Sequence, residues 1–276
     1  MRIGSNLTLF HDYGDECFKK MKEFGYDYAD IHIDDAPYTS NEEAYYAYYM
    51  NQKRLADEAG VTIWQVHGPW RYPPHDETPE HRADRLRIMT WSIRATAKIG
   101  CKLWVVHPLM PFGENDDFNY EKFLDINYEH FMALLPVAKE NGVTICLENM
   151  PFRFLTISKP DNTYELVKRI NDENFKMCLD TGHSAVFGLS PADAVRKIGK
   201  DIKALHIHDN LGDGDIHLLP LMGVIDWKDF MKALKEIEFD GVFSLETSWN
   251  DFLPNSVCNE TKLKALRAIL DELMSY

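Results

Sequence analysis

The chain has 276 residues, 45% of them apolar and 27% charged, with a formal net charge of -14. This composition supports a sizeable folded core and excludes a disordered chain, and the acidic balance weighs against nucleic acid as a partner, because a polyanion binder needs a basic footprint. No apolar run approaches the roughly 20 residues a membrane helix requires. The N-terminal stretch MRIGSNLTLFHDYGDE turns polar too early for a signal peptide, and the five cysteines lack any C-x-x-C spacing, so free thiols in the cytoplasm are expected.

Taken in chain order, Arg2 to Ser5 is a short candidate strand, followed by a helix from Asp15 to about Phe24. Tyr28 to Ile33 alternates and is rich in strand formers, and Asn41 to Ala59 reads as a helix stopped at Gly60. The same alternation gives strand Thr62 to His67, helix Glu80 to Ile99, strand Leu103 to His107 and helix Tyr120 to Asn141. Next come strand Thr144 to Glu148, helix Asn162 to Ile170, strand Phe175 to Asp180 and helix Pro191 to Ile198 with Ser190 as its N-cap. Strand Ile202 to His208, helix Trp227 to Ile237, strand Val242 to Glu246 and helix Asn259 to Met274 complete the pattern.

Apolar strands alternating with helices imply parallel pairing through right-handed crossovers. Eight such units fill the chain, no Gly-x-Gly-x-x-Gly follows the first strand, and no linker interrupts the sequence. The expected fold is therefore α/β, one (β/α)8 TIM barrel domain over residues 1–276, within reach of the roughly 250 residues such barrels span. The long connections 107–119 and 208–226 follow strands, which puts the elaborated face at the strand C-termini, where barrel active sites lie.

Side chains two apart on a strand share a face. On that rule the ends of six strands would turn His67, His107, Glu148, Asp180, His206 and Glu246 into one cavity. A carboxylate ending an apolar strand is costly unless it is paired or ligates a cation. Glu148, Asp180, His206 and Glu246 form an oxygen-rich set with one nitrogen, suited to one catalytic divalent ion, zinc or manganese, with magnesium also compatible. His67, His107, His183, Asp215 and His217 form a second, imidazole-rich set that could hold further ions or bind substrate hydroxyls.

These residues sit in the motifs LEN (147–149), LDTGH (179–183), HIHD (206–209), DIH (215–217) and LET (245–247). In that order they resemble the xylose-isomerase-like TIM barrels, which join sugar isomerases and epimerases with AP endonucleases of the endonuclease IV type. The epimerase resemblance implies one metal on Glu148, Asp180, His206 and Glu246, with the two glutamates moving protons on and off carbon. His208 takes a supporting role beside His206. The endonuclease resemblance implies a trinuclear zinc site that adds His67, His107, His183, Asp215 and His217. Two positions depart from these patterns. Gly212 stands where the epimerases carry an arginine, and the acidic stretch IDDAPYTSNEEAYYAYY after the second strand has no Lys or Arg for DNA.

The leading expectation is a metal-dependent sugar or sugar phosphate isomerase or epimerase, with a small-molecule sugar as partner, Glu148 and Glu246 as proton carriers, and His183 orienting a substrate oxygen. A multinuclear zinc phosphodiesterase is the alternative, and a sugar-binding barrel without turnover is a third reading. Trp70, Phe112 and Trp249 would line the pocket or pack the barrel mouth, and Arg153 reads as solvated before it reads as a phosphate contact. An oligomer is compatible with the sequence, which does not specify one.

Overall fold

The computed structural model describes residues 1–32, 41–69, 78–109, 119–153, 157–248 and 258–276. Trp70, Phe112 and Trp249, with Ile33 and the neighbouring part of the acidic stretch, lie outside the described residues. Eight parallel strands form one sheet in the order β7-β6-β5-β4-β3-β2-β1-β8. They are β1 Arg2–Asn6, β2 Tyr28–His32, β3 Thr62–His67, β4 Leu103–Val106, β5 Thr144–Glu148, β6 Phe175–Asp180, β7 Ile202–His206 and β8 Val242–Leu245. The Ile207 amide donates to the Ser244 carbonyl and the Glu246 amide to the Ile207 carbonyl, which brings β7 against β8 and closes the (β/α)8 TIM barrel.

Helices α1 Cys17–Glu23, α2 Glu42–Ala59, α3 Pro79–Lys98, α4 Tyr120–Glu140 and α5 Pro160–Ile170 alternate with the first strands. The ring continues with α6 Thr181–Val186, α7 Pro191–Ile198, α8 Trp227–Glu236 and α9 Asn259–Ser275. Side chains accept the orphan amides of the first turn at several helix starts, Ser190 for α7 as expected and also Asn41 for α2, Thr78 for α3 and Asp226 for α8. Gly60 closes α2 at φ 69°, a left-handed conformation that costs glycine little. None of the described helices is long and apolar enough to cross a membrane, and all five cysteines are free.

Several boundaries differ from those read in the sequence. The helix expected from Asp15 to about Phe24 is α1, Cys17–Glu23, and it is preceded by a 3-10 stretch, Thr8–Glu16, that the sequence reading does not contain, with Gly14 inside it at φ 52°. Helix α6 was not anticipated. Its six residues include a glycine, too few for a periodic pattern, and it exists because the Asp180 carboxylate caps it by accepting from the His183 amide at 2.6 Å. Strands β4, β7 and β8 stop one or two residues short of His107, His208 and Glu246.

The two faces of the sheet carry different residues. Outward side chains such as Ile145, Leu147, Phe175, Met177, Leu179, Leu205, Phe243 and Leu245 join the helices in one large core. Inward, Val105, Cys146, Cys178 and Ala204 make a small separate cluster in the barrel axis. Two residues further along each strand, the alternation delivers His107, Glu148, Asp180 and His206, so the polar layer rests directly on this apolar floor. Phe243 is fully buried against Trp227 and Phe230. Phe243→Ala is expected to destabilise the fold by about 3–5 kcal/mol through lost transfer energy and a cavity, read as a lowered midpoint in urea denaturation.

Candidate metal centre

His206 is the hub of the site. Its Nδ1 lies 2.8 Å from Glu148 Oε1 and 3.0 Å from Glu246 Oε2, and its Nε2 lies 2.9 Å from Asp30 Oδ2. Gln65 Nε2 in turn donates to Asp30 Oδ2 at 2.8 Å. Every one of these side chains is buried. An imidazole that gives its Nε2–H to a carboxylate presents Nδ1 to a cation, the arrangement by which outer groups orient a histidine ligand. Glu148, Asp180, His206 and Glu246 each offer a ligand atom, all within 4.8 Å of one another.

Two further groups adjoin this one. His67 and His107 share Glu148: their Nε2 atoms lie 3.4 and 3.1 Å from its Oε2, and 3.0 Å from each other. Glu148 Oε2 is nonetheless buried without a hydrogen bond. Several lone-pair atoms crowded about an unsatisfied carboxylate oxygen fit a divalent cation better than they fit one another. The other group comprises His183, His208, Asp215 and His217, again within 4.8 Å. Cys178 lies beneath Glu148 and His206, where burial pushes its thiol well above the usual range and keeps it neutral.

Local structure explains how distant residues arrive here. Past β7 the chain pairs back on itself, Asp209 and Leu218 exchanging amide-to-carbonyl bonds of 2.8 Å, which folds Asp215 and His217 over His208. Asp209, the acid of HIHD, is structural. Its two oxygens accept from the amides of Asn210, Gly223 and Ile225 and from the Trp227 indole, tying both ends of the 209–226 segment together. Asn149 of LEN is structural too, exchanging hydrogen bonds with the Asp180 backbone. His217 sits at φ 49°, a left-handed conformation uncommon for a non-glycine residue. Arg153 is exposed and donates to the carbonyls of Val186 and Gly212.

The sequence reading passed over Asp30 and His32. Ending the second strand at Ile33 turned these two away from the cavity, since a one-residue error exchanges the faces. With β2 ending at His32, Asp30 pairs with Gln65 and His32 with His67. His32 stacks on His67 at 4.8 Å and brings Nε2 to 3.5 Å from Glu246 Oε1. Together with Glu148, His183, Asp215, His217 and Glu246 it lines a cleft of about 240 Å³ that opens at the strand C-termini.

The electrostatics follow from burial of both signs together. Burial alone would raise Glu148 and Glu246, but the imidazoles of His206 and, for Glu148, His107 outweigh it and hold both carboxyls well below their usual range. Burial alone would strip the proton from His67, His183 and His217. Glu148 opposes it at His67, Asp180 and Asp215 at His183, and Asp215 at His217, raising these imidazoles to about 9, about 10 and about 9.

Two outcomes are expected. Asp30→Asn should weaken divalent-metal affinity about 10–100-fold, the usual effect of losing an outer-sphere partner; chelator competition measures it, and wild-type affinity in a folded variant would refute the role. For metal-free protein, the raised imidazole values contribute stability present in full below pH 6.5 and lost as pH rises through about 9 to 10. Its melting temperature should therefore fall between pH 6.5 and 10, whereas bound zinc, which needs deprotonated imidazoles, should remove that decline.

Residues 18–273 match the family described as Xylose isomerase-like TIM barrel. The uncharacterized protein MJ1311 of Methanocaldococcus jannaschii is 30% identical over 99% of this chain and 91% of its own length. Inosose isomerase of Bacillus subtilis is 32% identical over 41% of this chain and 43% of its own, and a probable endonuclease 4 of Metamycoplasma arthritidis is 26% identical over 72% of each. A solved D-tagatose 3-epimerase-like protein superposes with a TM-score of 0.80 at 26% identity, covering 100% of this chain and 97% of that one. The barrel, the order of its motifs and these matches together place the chain in the xylose isomerase-like TIM barrel family.

Proposed function

We propose that this protein is a metal-dependent isomerase or epimerase of a small sugar or related polyhydroxy carbonyl compound. One observation carries the reading: Glu148 on β5 and Glu246 after β8, with β6 and β7 between them, both reach the same imidazole nitrogen of His206. Two carboxylates facing each other across one cleft can serve the two faces of a substrate carbon. The likeness to a D-tagatose 3-epimerase-like protein and, over part of the chain, to an inosose isomerase supports a sugar as substrate.

Glu148, Asp180, His206 and Glu246 would hold a divalent ion, zinc or manganese by the chemistry of the donor set. When bound, the ion supplies Lewis-acid polarisation of the substrate carbonyl and charge stabilisation of an enediolate. Glu148 and Glu246 then act as proton carriers, one removing the proton alpha to the carbonyl and the other returning one from the opposite face. Glu246 directs Oε1 toward His32 at the cleft wall while Oε2 faces His206, which leaves one oxygen for a ligand role and one for the proton. The imidazoles of His67 and His107 flank Glu148 and restrict its carboxylate to one orientation.

A second reading rests on the three adjoining ligand groups, two of which share Glu148. Such a cluster suits a multinuclear zinc phosphodiesterase of the endonuclease IV type, whose similarity to this chain spans 72% of it. The net charge of -14 weighs against a DNA substrate.

Incubating metal-reconstituted protein in deuterium oxide with a panel of ketoses, aldoses and inososes should place deuterium at the carbon alpha to a carbonyl. Glu246→Gln should slow that exchange by about 10²–10⁴-fold, with metal content measured in parallel to separate proton transfer from metal loss. Absence of exchange across the panel, with cleavage of abasic-site DNA, would replace this reading by the second.

A further inference from the structure

We propose that the N-terminal mouth of the barrel is a second ligand site, for a small organic anion with an aromatic body, an aryl carboxylate. It lies at the opposite pole from the metal centre and does not depend on the isomerase reading.

The site is a cavity of about 350 Å³, larger than the cleft of about 240 Å³ at the strand C-termini. Thr62, Leu103 and Ile202, the first residues of β3, β4 and β7, border it together with Gly241 just before β8. In the closed barrel β3 and β4 stand across from β7 and β8, so the cavity spans the axis. Leu103 packs on Val105, Cys146, Cys178 and Ala204, and this plug separates the cavity from the metal centre. At about 30 Å³ for each water-sized group the space takes about a dozen non-hydrogen atoms. That is the scale of a small-molecule pocket at a barrel mouth.

Two aromatic side chains wall it. Ala29 pairs with Ile63 but Asp30 with Gln65, so the register slips at Trp64, and such a bulge re-aims the side chain it carries. The Arg2 guanidinium lies 4.9 Å over the Trp64 ring. The indole N–H is buried yet has no hydrogen-bond partner, an orphan donor that a ligand oxygen would satisfy. Phe239 is held by its backbone: Glu238 before it takes a left-handed φ of 57°, and the Phe239 amide donates to the Leu234 carbonyl at 3.0 Å. A Cβ at position 241 would stand 2.4 Å from Phe239 Cζ, so a side chain there would displace the ring. Cys101 Sγ donates to the Trp64 carbonyl at 3.1 Å, and burial pushes its thiol up to about 12, so it adds no charge to the wall.

Charge selects the occupant. Lys102 and Lys203 border the cavity from opposite sides, both exposed and without an ion pair among the described residues, against one lining acid, Asp240. With Arg2 they make this pole cationic in a chain whose net charge is -14. A carboxylate at the rim meets both ammonium groups while its ring lies among Trp64, Leu103, Ile202 and Phe239. A bare inorganic anion leaves those walls unfilled, and a cation is repelled by the lysines.

Uniformly ¹⁵N-labelled, metal-loaded full-length protein is titrated with 2-naphthoate, with its neutral counterpart 2-naphthamide, and with inorganic phosphate. Saturable shifts from 2-naphthoate are expected at the Trp64 indole N–H, assigned through Trp64→Phe, and at the amides of 100–103 and 239–241, with those of 206–217 unmoved. Lys102→Ala combined with Lys203→Ala should weaken 2-naphthoate about tenfold and leave 2-naphthamide unchanged. Both lysines are exposed, and an otherwise native spectrum verifies that the double variant folds. Absence of saturable shifts at Trp64 overturns the proposal, as does wild-type affinity for 2-naphthoate in the double variant. Equal affinity for 2-naphthamide or for phosphate overturns it too, because charge or the aromatic walls would then select nothing. Shifts confined to 206–217 put the carboxylate on the metal centre instead and likewise overturn it. No sugar enters these readouts, so their outcome leaves the isomerase reading where it stands.

Discussion

The histidine at position 206 lies buried between three carboxylates, and this cluster of opposite charges governs the rest of the site. A buried carboxylate is tolerated only with a compensating charge or several hydrogen bonds, and Asp30, Glu148 and Glu246 all find theirs on one imidazole ring. Asp180 is satisfied differently, as the cap of α6. Removing His206 would leave the three acids with no common partner. A divalent cation held at His206 Nδ1 would replace the proton there with two charges at one point, and the donor set of Glu148, Asp180, His206 and Glu246 is chemically suited to one.

The barrel makes such a cluster affordable. Its axis is filled below the site by small apolar side chains, Val105, Cys146, Cys178 and Ala204, so the polar layer has a dry floor and opens at the strand C-termini. The low dielectric strengthens each interaction in the layer and exaggerates the cost of any group left out. The outer face of the same strands contributes to a large aromatic and aliphatic core with the helices. Rigidity from that core holds candidate ligand atoms from separate strands within 4.8 Å of one another.

How legible the site was depended on how each residue is delivered. Glu148, Asp180, His206 and Glu246 end apolar strands or follow them directly, and the two-residue repeat puts them on the inner face without any knowledge of the fold. Asp30 escaped because the second strand was ended one residue too far along, which inverts inside and outside. His208 resembled a strand residue in phase with His206, but β7 stops at His206, and the position beyond it belongs to a loop that folds back. Asp209, the acid of HIHD, is an anchor for that loop, a role set by amides fourteen and sixteen residues away and an indole eighteen away.

The sequence by itself determined the alternating strands and helices, the Ser190 cap of α7, and an inward row of acids and histidines, because these depend on side-chain period and local hydrogen bonding. Only the tertiary structure decided how those residues divide into groups, which nitrogen of each ring faces the others, and that Asp30 and Gln65 stand behind His206. Such features depend on barrel closure and on the return of the 209–218 segment over the rim. All of these are contacts between residues far apart in the chain, and no local pattern encodes them.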